Sequence, residues 1–220
     1  MTHPSLSSSD SLAEQITEIL RLEILSGELK PEYIIEESAI AARHNVSVSL
    51  VTKAISTLLN EALIVEQDNQ FKVISLNEKD FLEIWDLRSA LESMAARRAA
   101  PRWTQEDSDI IWGIIRRQYD AQSLSELSEL DVELHSYMVQ RSNNRRLFTA
   151  WKQVRIQFSL LINRTHRVIG AIDLNPMKGA AEAHAELLAA FETHNGDEAA
   201  AAAVAHVETW ADWLSKKLEY

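Results

Sequence analysis

Ile64-Val65-Glu66-Gln67-Asp68-Asn69-Gln70-Phe71-Lys72-Val73-Ile74 breaks a chain that otherwise reads as helix. Two β-leaning runs, 64–67 and 71–74, flank Asp68-Asn69-Gln70, and this pattern predicts a short hairpin. Upstream, apolar residues three and four apart predict a helix from about Ser11 to Ser26, stopped by Gly27. A second runs from about Glu36 to His44 and ends at Asn45. A third, with Ser47 as its cap, reaches about Asn60. Three helices followed by a hairpin make a winged helix-turn-helix, with the hairpin as its wing.

Downstream, Asn77 caps a long helix to about Ala100. Further helices are expected near Gln105 to Gln122, Glu126 to Arg141, Arg145 to Thr165, Met177 to His194 and Glu198 to Glu219. Only five glycines and four prolines interrupt the 220 residues, so the fold class is mainly α. The boundary falls at residues 75–77, which divides the chain into a winged helix-turn-helix, 1–76, and an all-helical bundle of six or seven helices, 77–220. The alanines of 199–203 are strong helix formers within the last helix.

A hydrophobic content of 46% is ample for packed cores. No apolar run approaches the ~20 residues of a membrane helix, and residues 1–10 are polar and Ser-rich, unlike a signal peptide. A cytoplasmic protein without a membrane partner is expected. With no cysteine, any metal must be held by His and carboxylate. The net charge of −11 opposes contact with nucleic acid unless basic residues are locally concentrated. Residues 1–76 hold five basic and eleven acidic side chains, so the first domain is itself acidic.

Asp131 and His135 are four apart on one helix, hence on one face, and they border the apolar stripe Leu127, Leu130, Leu134 and Met138. His184 shares a stripe with Leu187, Leu188 and Phe191, and His206 with Ala203, Trp210 and Trp213. One inward imidazole is usually a hydrogen-bonded core residue. Three of them with an inward carboxylate fit a divalent cation, which satisfies all four groups together. His3 in the tail, His44 and His194 at helix ends and His166 in an expected loop read as structural. Arg88 lies with Phe81, Ile84, Trp85 and Leu91 on an inner helix face and needs an anion. That anion is either Glu92, in an internal ion pair, or the carboxylate of a ligand beside the metal. Arg155, flanked by Trp151, Phe158 and Ile162, is a second ligand-binding candidate.

These residues resemble GntR regulators that carry an FCD effector domain. Trp85-Asp86-Leu87-Arg88-Ser89-Ala90-Leu91-Glu92 resembles the helix that opens the FCD domain, and Asp131-x3-His135, His184 and His206 match the family's four metal-ligand positions in order. The N-terminal half is similar through Leu22 to Pro31, Glu36-Glu37, Val46-Ser47 and Leu58 to Val65. The resemblance implies a divalent metal such as zinc, nickel or manganese, a small carboxylate effector and a homodimer. It departs from the family where arginines are usual and this chain has Val48, Thr52 and Ser56, where Leu50 replaces a proline, and where a wing glycine near Gln70 and Phe71 is missing.

The expected function is that of a metal-dependent, ligand-responsive transcription regulator binding double-stranded DNA at an inverted repeat. Ser47, Ser49, Thr52, Lys53 and Ser56 would supply its contacts, with Arg43 at the flank. The alternative is a metal-and-carboxylate binding protein whose winged helix serves dimerisation or a protein partner. A metalloenzyme is disfavoured, because no general base, phosphate loop or nucleophile elbow accompanies the histidines.

Overall fold

A computed structural model describes the backbone of residues 8–169 and 175–218, and side chains within 11–123, 125–163 and 179–209. The chain divides into two compact units, Met1–Leu76 and Asn77–Tyr220. In the first, α1 (Ser8–Ser26) is followed by β1 (Ile34–Ile35), α2 (Glu37–His44), α3 (Val48–Asn60), β2 (Ile64–Gln67) and β3 (Gln70–Val73). Ile16, Leu20 and Ile24 of α1 and Val51, Ala54, Ile55 and Leu58 of α3 form the buried seam, as helical spacing requires. Arg21 clamps α1 to the end of α3 through two bonds to the Glu61 carboxylate, at 2.9 and 2.6 Å.

The wing differs from the sequence reading in two respects. Asp68 and Asn69 both adopt left-handed backbone, φ 53° and 57°, so the turn has two residues and Gln70 pairs with Gln67. β1, not foreseen, adds a third strand, with Ile34 opposite Lys72 and Ile35 opposite Phe71. Two residues are too few to show an alternating pattern. Ser47 takes the N-cap position of α3 without a capping bond to the backbone; its Oγ lies 3.0 Å from that of Ser49 instead.

The second unit contains α4 (Glu78–Ala99), a 3-10 turn (Ala100–Arg102), α5 (Gln105–Asp120), α6 (Leu124–Arg141), α7 (Arg145–Ile169), α8 (Asn175–Glu192) and α9 (Gly196–Leu218). Asn77 and Asp80 close a reciprocal capping box on α4, and Thr104 and Asp107 one on α5. α4 packs against α6, α7 and α9. At the start of α9 a Cβ on Gly196 would stand 2.4 Å from the Arg97 carbonyl oxygen, so only glycine allows this approach to α4. Contrary to expectation, α7 continues past His166 to Ile169. His194 lies beyond the end of α8 with φ 56°. Among the described residues no helix is long and apolar enough to cross a membrane.

Asp107 also ties α5 to α6. Its carboxylate accepts from Thr104, from the Tyr137 hydroxyl at 2.6 Å and from Arg141 at 2.8 and 2.9 Å. Burial acts to raise this carboxyl, but the bonds from Tyr137 and Thr104 and the Arg141 charge prevail and hold it below its ordinary value. The unfolded chain therefore binds more protons in that window, and stability rises with pH there. Asp107→Asn is expected to cost about 2 kcal/mol at neutral pH. The deficit should shrink as pH falls below the ordinary value of 3.8. Urea unfolding at several pH values checks both; a deficit independent of pH would contradict the assignment.

Candidate metal centre and nucleic-acid face

His135 on α6, His184 on α8 and His206 on α9 are each buried on their helix's apolar stripe, so packing the three helices brings the rings together. One nitrogen from each ring lies within 4.8 Å of the others, and the Nε2 atoms of His135 and His184 are 3.3 Å apart. α9 is pinned beside this point by α4, where the Trp85 indole donates to the Val207 carbonyl at 2.7 Å. Asp131 Oδ1 stands 3.3 Å from His184 Nε2 and 3.6 Å from His135 Nε2. Its side chain is 26% exposed, so the carboxylate is at the rim of the cluster and the rings are inside. Trp210 and Trp213 lie outside the described side chains.

Burial lowers the His184 and His206 pKa values, and for His206 the neighbouring His184 and His135 push further in the same direction. Both rings are thereby kept neutral, with a nitrogen lone pair available. Among the described residues neither nitrogen of His206 has a hydrogen-bond partner, although both are buried. Such an orphaned pair is costly in a protein interior.

The outer nitrogens of the other two rings are held by partners the sequence reading did not assign to them. Glu92 Oε2 is 2.7 Å from His135 Nδ1, and Gln118 Oε1 is 2.9 Å from His184 Nδ1. A polar residue on an otherwise apolar stripe was the available signal: Gln118 follows Ile111, Ile114 and Ile115 on α5, all buried.

The same Glu92 carboxylate accepts from Arg88 Nε at 2.6 Å and from the Trp151 indole at 3.1 Å. The internal Arg88–Glu92 ion pair is therefore present, and it leaves the far side of the guanidinium in a cleft. Arg88 Nη2 is 3.8 Å from Asp131 Oδ2, and its Cζ lies 3.9 Å from the Phe158 ring centre. That cleft is narrow, without room for a water molecule as it stands, and is lined by Arg88, Asp131, Val132, Trp151, Val154, Arg155 and Phe158. Arg155 sits over Trp151, 5.9 Å from its ring centre. Burial opposes ionisation of Glu92 and Asp131, but nearby Arg88 and the imidazoles prevail and hold both carboxyls well below the ordinary range.

In the first unit Val48, Ser49, Thr52, Lys53, Ser56 and Thr57 form the exposed face of α3, with Ser47 exposed before it. Thr52 Oγ1 lies 2.7 Å from Glu37 Oε1 and 3.1 Å from the Val48 carbonyl. Ser56 and Thr57 donate to the carbonyls of Thr52 and Lys53. Arg43 is 2.5 Å from Glu23.

The FCD domain model matches residues 83–209, over half of the chain, and that of the gntR family of bacterial regulatory proteins matches residues 12–70. The chain belongs to the GntR family and carries an FCD domain. Its winged helix and helical bundle are those of this family, whose relatives are transcriptional regulators and not enzymes. The Nta operon transcriptional regulator of Aminobacter aminovorans is 25% identical over 86% of this chain and 88% of its own. The gluconate operon transcriptional repressor of Bacillus licheniformis is 27% identical over 62% of this chain, and the match spans 57% of that protein. In fold the GntR chain is similar to McbR/YncC of E. coli, with a TM-score of 0.79 at 19% identity, covering 97% of this chain and 100% of that one.

Within this FCD domain Glu92→Gln tests the outer support of the histidines. The amide removes the charge that balances buried Arg88 and weakens the acceptor for His135. If the histidines hold zinc, its affinity should fall about 10- to 100-fold, alongside a stability loss on the order of 3 kcal/mol. Competition with a chromophoric chelator and thermal melts read the two effects; unchanged zinc affinity would show that Glu92 serves only Arg88.

Proposed function

We propose that this GntR-family regulator is metal-dependent and responds to a small organic acid, which alters its hold on DNA. The observation that carries the reading is the convergence of three buried imidazoles, one of which, His206, has no hydrogen-bond partner for either nitrogen among the described residues. Neutral rings with Asp131 at their rim fit a borderline divalent cation such as zinc, nickel or manganese. His135, His184, His206 and Asp131 would hold it, with Glu92 and Gln118 orienting two of the rings. Bound there, a divalent cation supplies a Lewis-acid position for an oxygen of an anionic ligand.

Arg88 and Arg155 provide positive charge in the adjacent cleft, and Trp151, Val154 and Phe158 its apolar wall. This pairing suits a small carboxylate with a short apolar body. As a cytoplasmic homodimer the protein would present two α3 helices to an inverted repeat, since two-fold protein symmetry is mirrored in the site. Ser47, Ser49, Thr52, Lys53 and Ser56, with Arg43 nearby, form the contact set. The acidic first unit favours a second reading, in which the winged helix engages a protein partner or serves dimerisation. DNA binding with a shallow salt dependence supports the first, and no specific binding with metal and ligand supplied supports the second.

Purified protein is expected to hold about one divalent ion per chain, and His184→Ala and His206→Ala should each lose most of it. Full retention in both would remove the assignment. Calorimetric titration of metal-loaded protein with small mono- and dicarboxylates should give binding that Arg88→Lys weakens, because lysine keeps the charge but not the planar fork. Equal affinity would confine Arg88 to its ion pair with Glu92.

A further inference from the structure

We propose that Glu37 is the base-reading residue of this protein, its carboxylate accepting from the N4 amino group of cytosine in the major groove. The inference rests on the DNA-binding reading of the winged helix. Glu37 opens α2, and its Oε1 lies 2.7 Å from the hydroxyl of Thr52 on the exposed face of α3. That bond holds the carboxylate beside the helix that would enter the groove and leaves Oε2 to accept from elsewhere.

Hydrogen-bond direction on this face points the same way. The hydroxyl protons of Ser56 and Thr57 are committed to carbonyls of their own helix, and the Thr52 proton lies between Glu37 and the Val48 carbonyl. Ser47 and Ser49 share a bond with each other. What these groups offer outward is mainly lone pairs. Hydroxyl acceptors of this kind cannot engage guanine, whose groove edge is the acceptor pair N7 and O6 and would be left to the exposed Lys53 ammonium. They suit an amino donor. Adenine sets its N6 donor beside the N7 acceptor, which repels a carboxylate, whereas cytosine presents N4 as a donor alone. Val48, 48% exposed one turn before Thr52, adds an apolar contact of the kind a thymine methyl accepts.

A carboxylate at this place also gives the acidic first unit a role. It lowers affinity for every DNA through the phosphates, but the loss is common to all sequences, so discrimination between bases survives it. Glu37 thus trades overall affinity for selectivity, because a site lacking the cytosine leaves the carboxylate desolvated without a donor.

Selection from a randomised duplex library on full-length, zinc-loaded protein tests this, with wild type, Glu37→Gln and Thr52→Val compared and thermal melts confirming that each variant folds. Wild type is expected to enrich a C·G pair at one position of each half-site, with replacement of that pair weakening binding about tenfold. Glu37→Gln should lose the cytosine preference and shift towards adenine, since an amide can pair with N6 and N7 together. Thr52→Val, which frees the carboxylate, should keep the preference with a smaller ratio. An unchanged preference in Glu37→Gln, with affinity altered equally for all sequences, overturns the proposal and leaves DNA binding intact. No specific binding by wild type overturns both.

Discussion

One buried carboxylate organises the second unit. Glu92, 5% exposed, receives the Arg88 guanidinium, the Trp151 indole and the His135 ring within 3.1 Å. An ionised carboxylate so far from water is tolerable only when its lone pairs are matched by donors and its charge by a cation. Here α4 supplies the carboxylate and the guanidinium, α7 the indole and α6 the imidazole, so satisfying Glu92 fixes three helices in register. The His135 nitrogen that faces His184 is presented because the opposite one is taken by Glu92. The histidine cluster is thus built from the outside inwards, starting at a residue that does not face it.

Much of this was legible in sequence because helical spacing carries both structure and site. Asp131 and His135 four apart, and His184 and His206 on apolar stripes, suffice to place these groups on inner faces. They do not say which partner each ring's second nitrogen finds, since Gln118 and His184 are separated by 66 positions and only tertiary packing joins them. Arg88 is instructive, because a guanidinium has two edges and Glu92 occupies only one of them. Its Nε edge binds Glu92 while Nη2 faces Asp131 and the cleft. At the wing, strand content was readable from β-branched residues, but β1 was not, because its two residues are strand only through pairing with β3.

On α3, residue types alone suggested hydroxyl contacts from Ser49, Thr52 and Ser56. A hydroxyl carries one donor, and whether that donor is spent internally depends on rotamer and neighbours. In this fold the Ser56 donor is spent on the backbone and Thr52 faces Glu37, so, beside the Lys53 ammonium, the hydroxyls of this face present acceptors where an arginine-bearing helix presents donors. The missing arginines are therefore only half of the difference.

Asp131 is where the two halves of the FCD site meet. Its Oδ1 faces two imidazoles and its Oδ2 faces Arg88, so one carboxylate is shared between the two sides. On the proposed reading, a carboxylate ligand approaching Arg88 would compete with Asp131 for the same positive charge, and weakening that pair would leave Asp131 freer to direct its charge towards the imidazole side. Conversely, a cation among the imidazoles would draw Asp131 away from Arg88 and open the guanidinium to a new anion. Each binding event would then remove an interaction that opposes the other, which is the thermodynamic requirement for positive coupling, and reciprocity would make the strengthening equal in both directions. The third element is already in place, since Arg88 remains held by Glu92 while Asp131 changes partner. Coupling of this kind needs no large rearrangement of the helices, only a redistribution of bonds around a guanidinium that keeps its position.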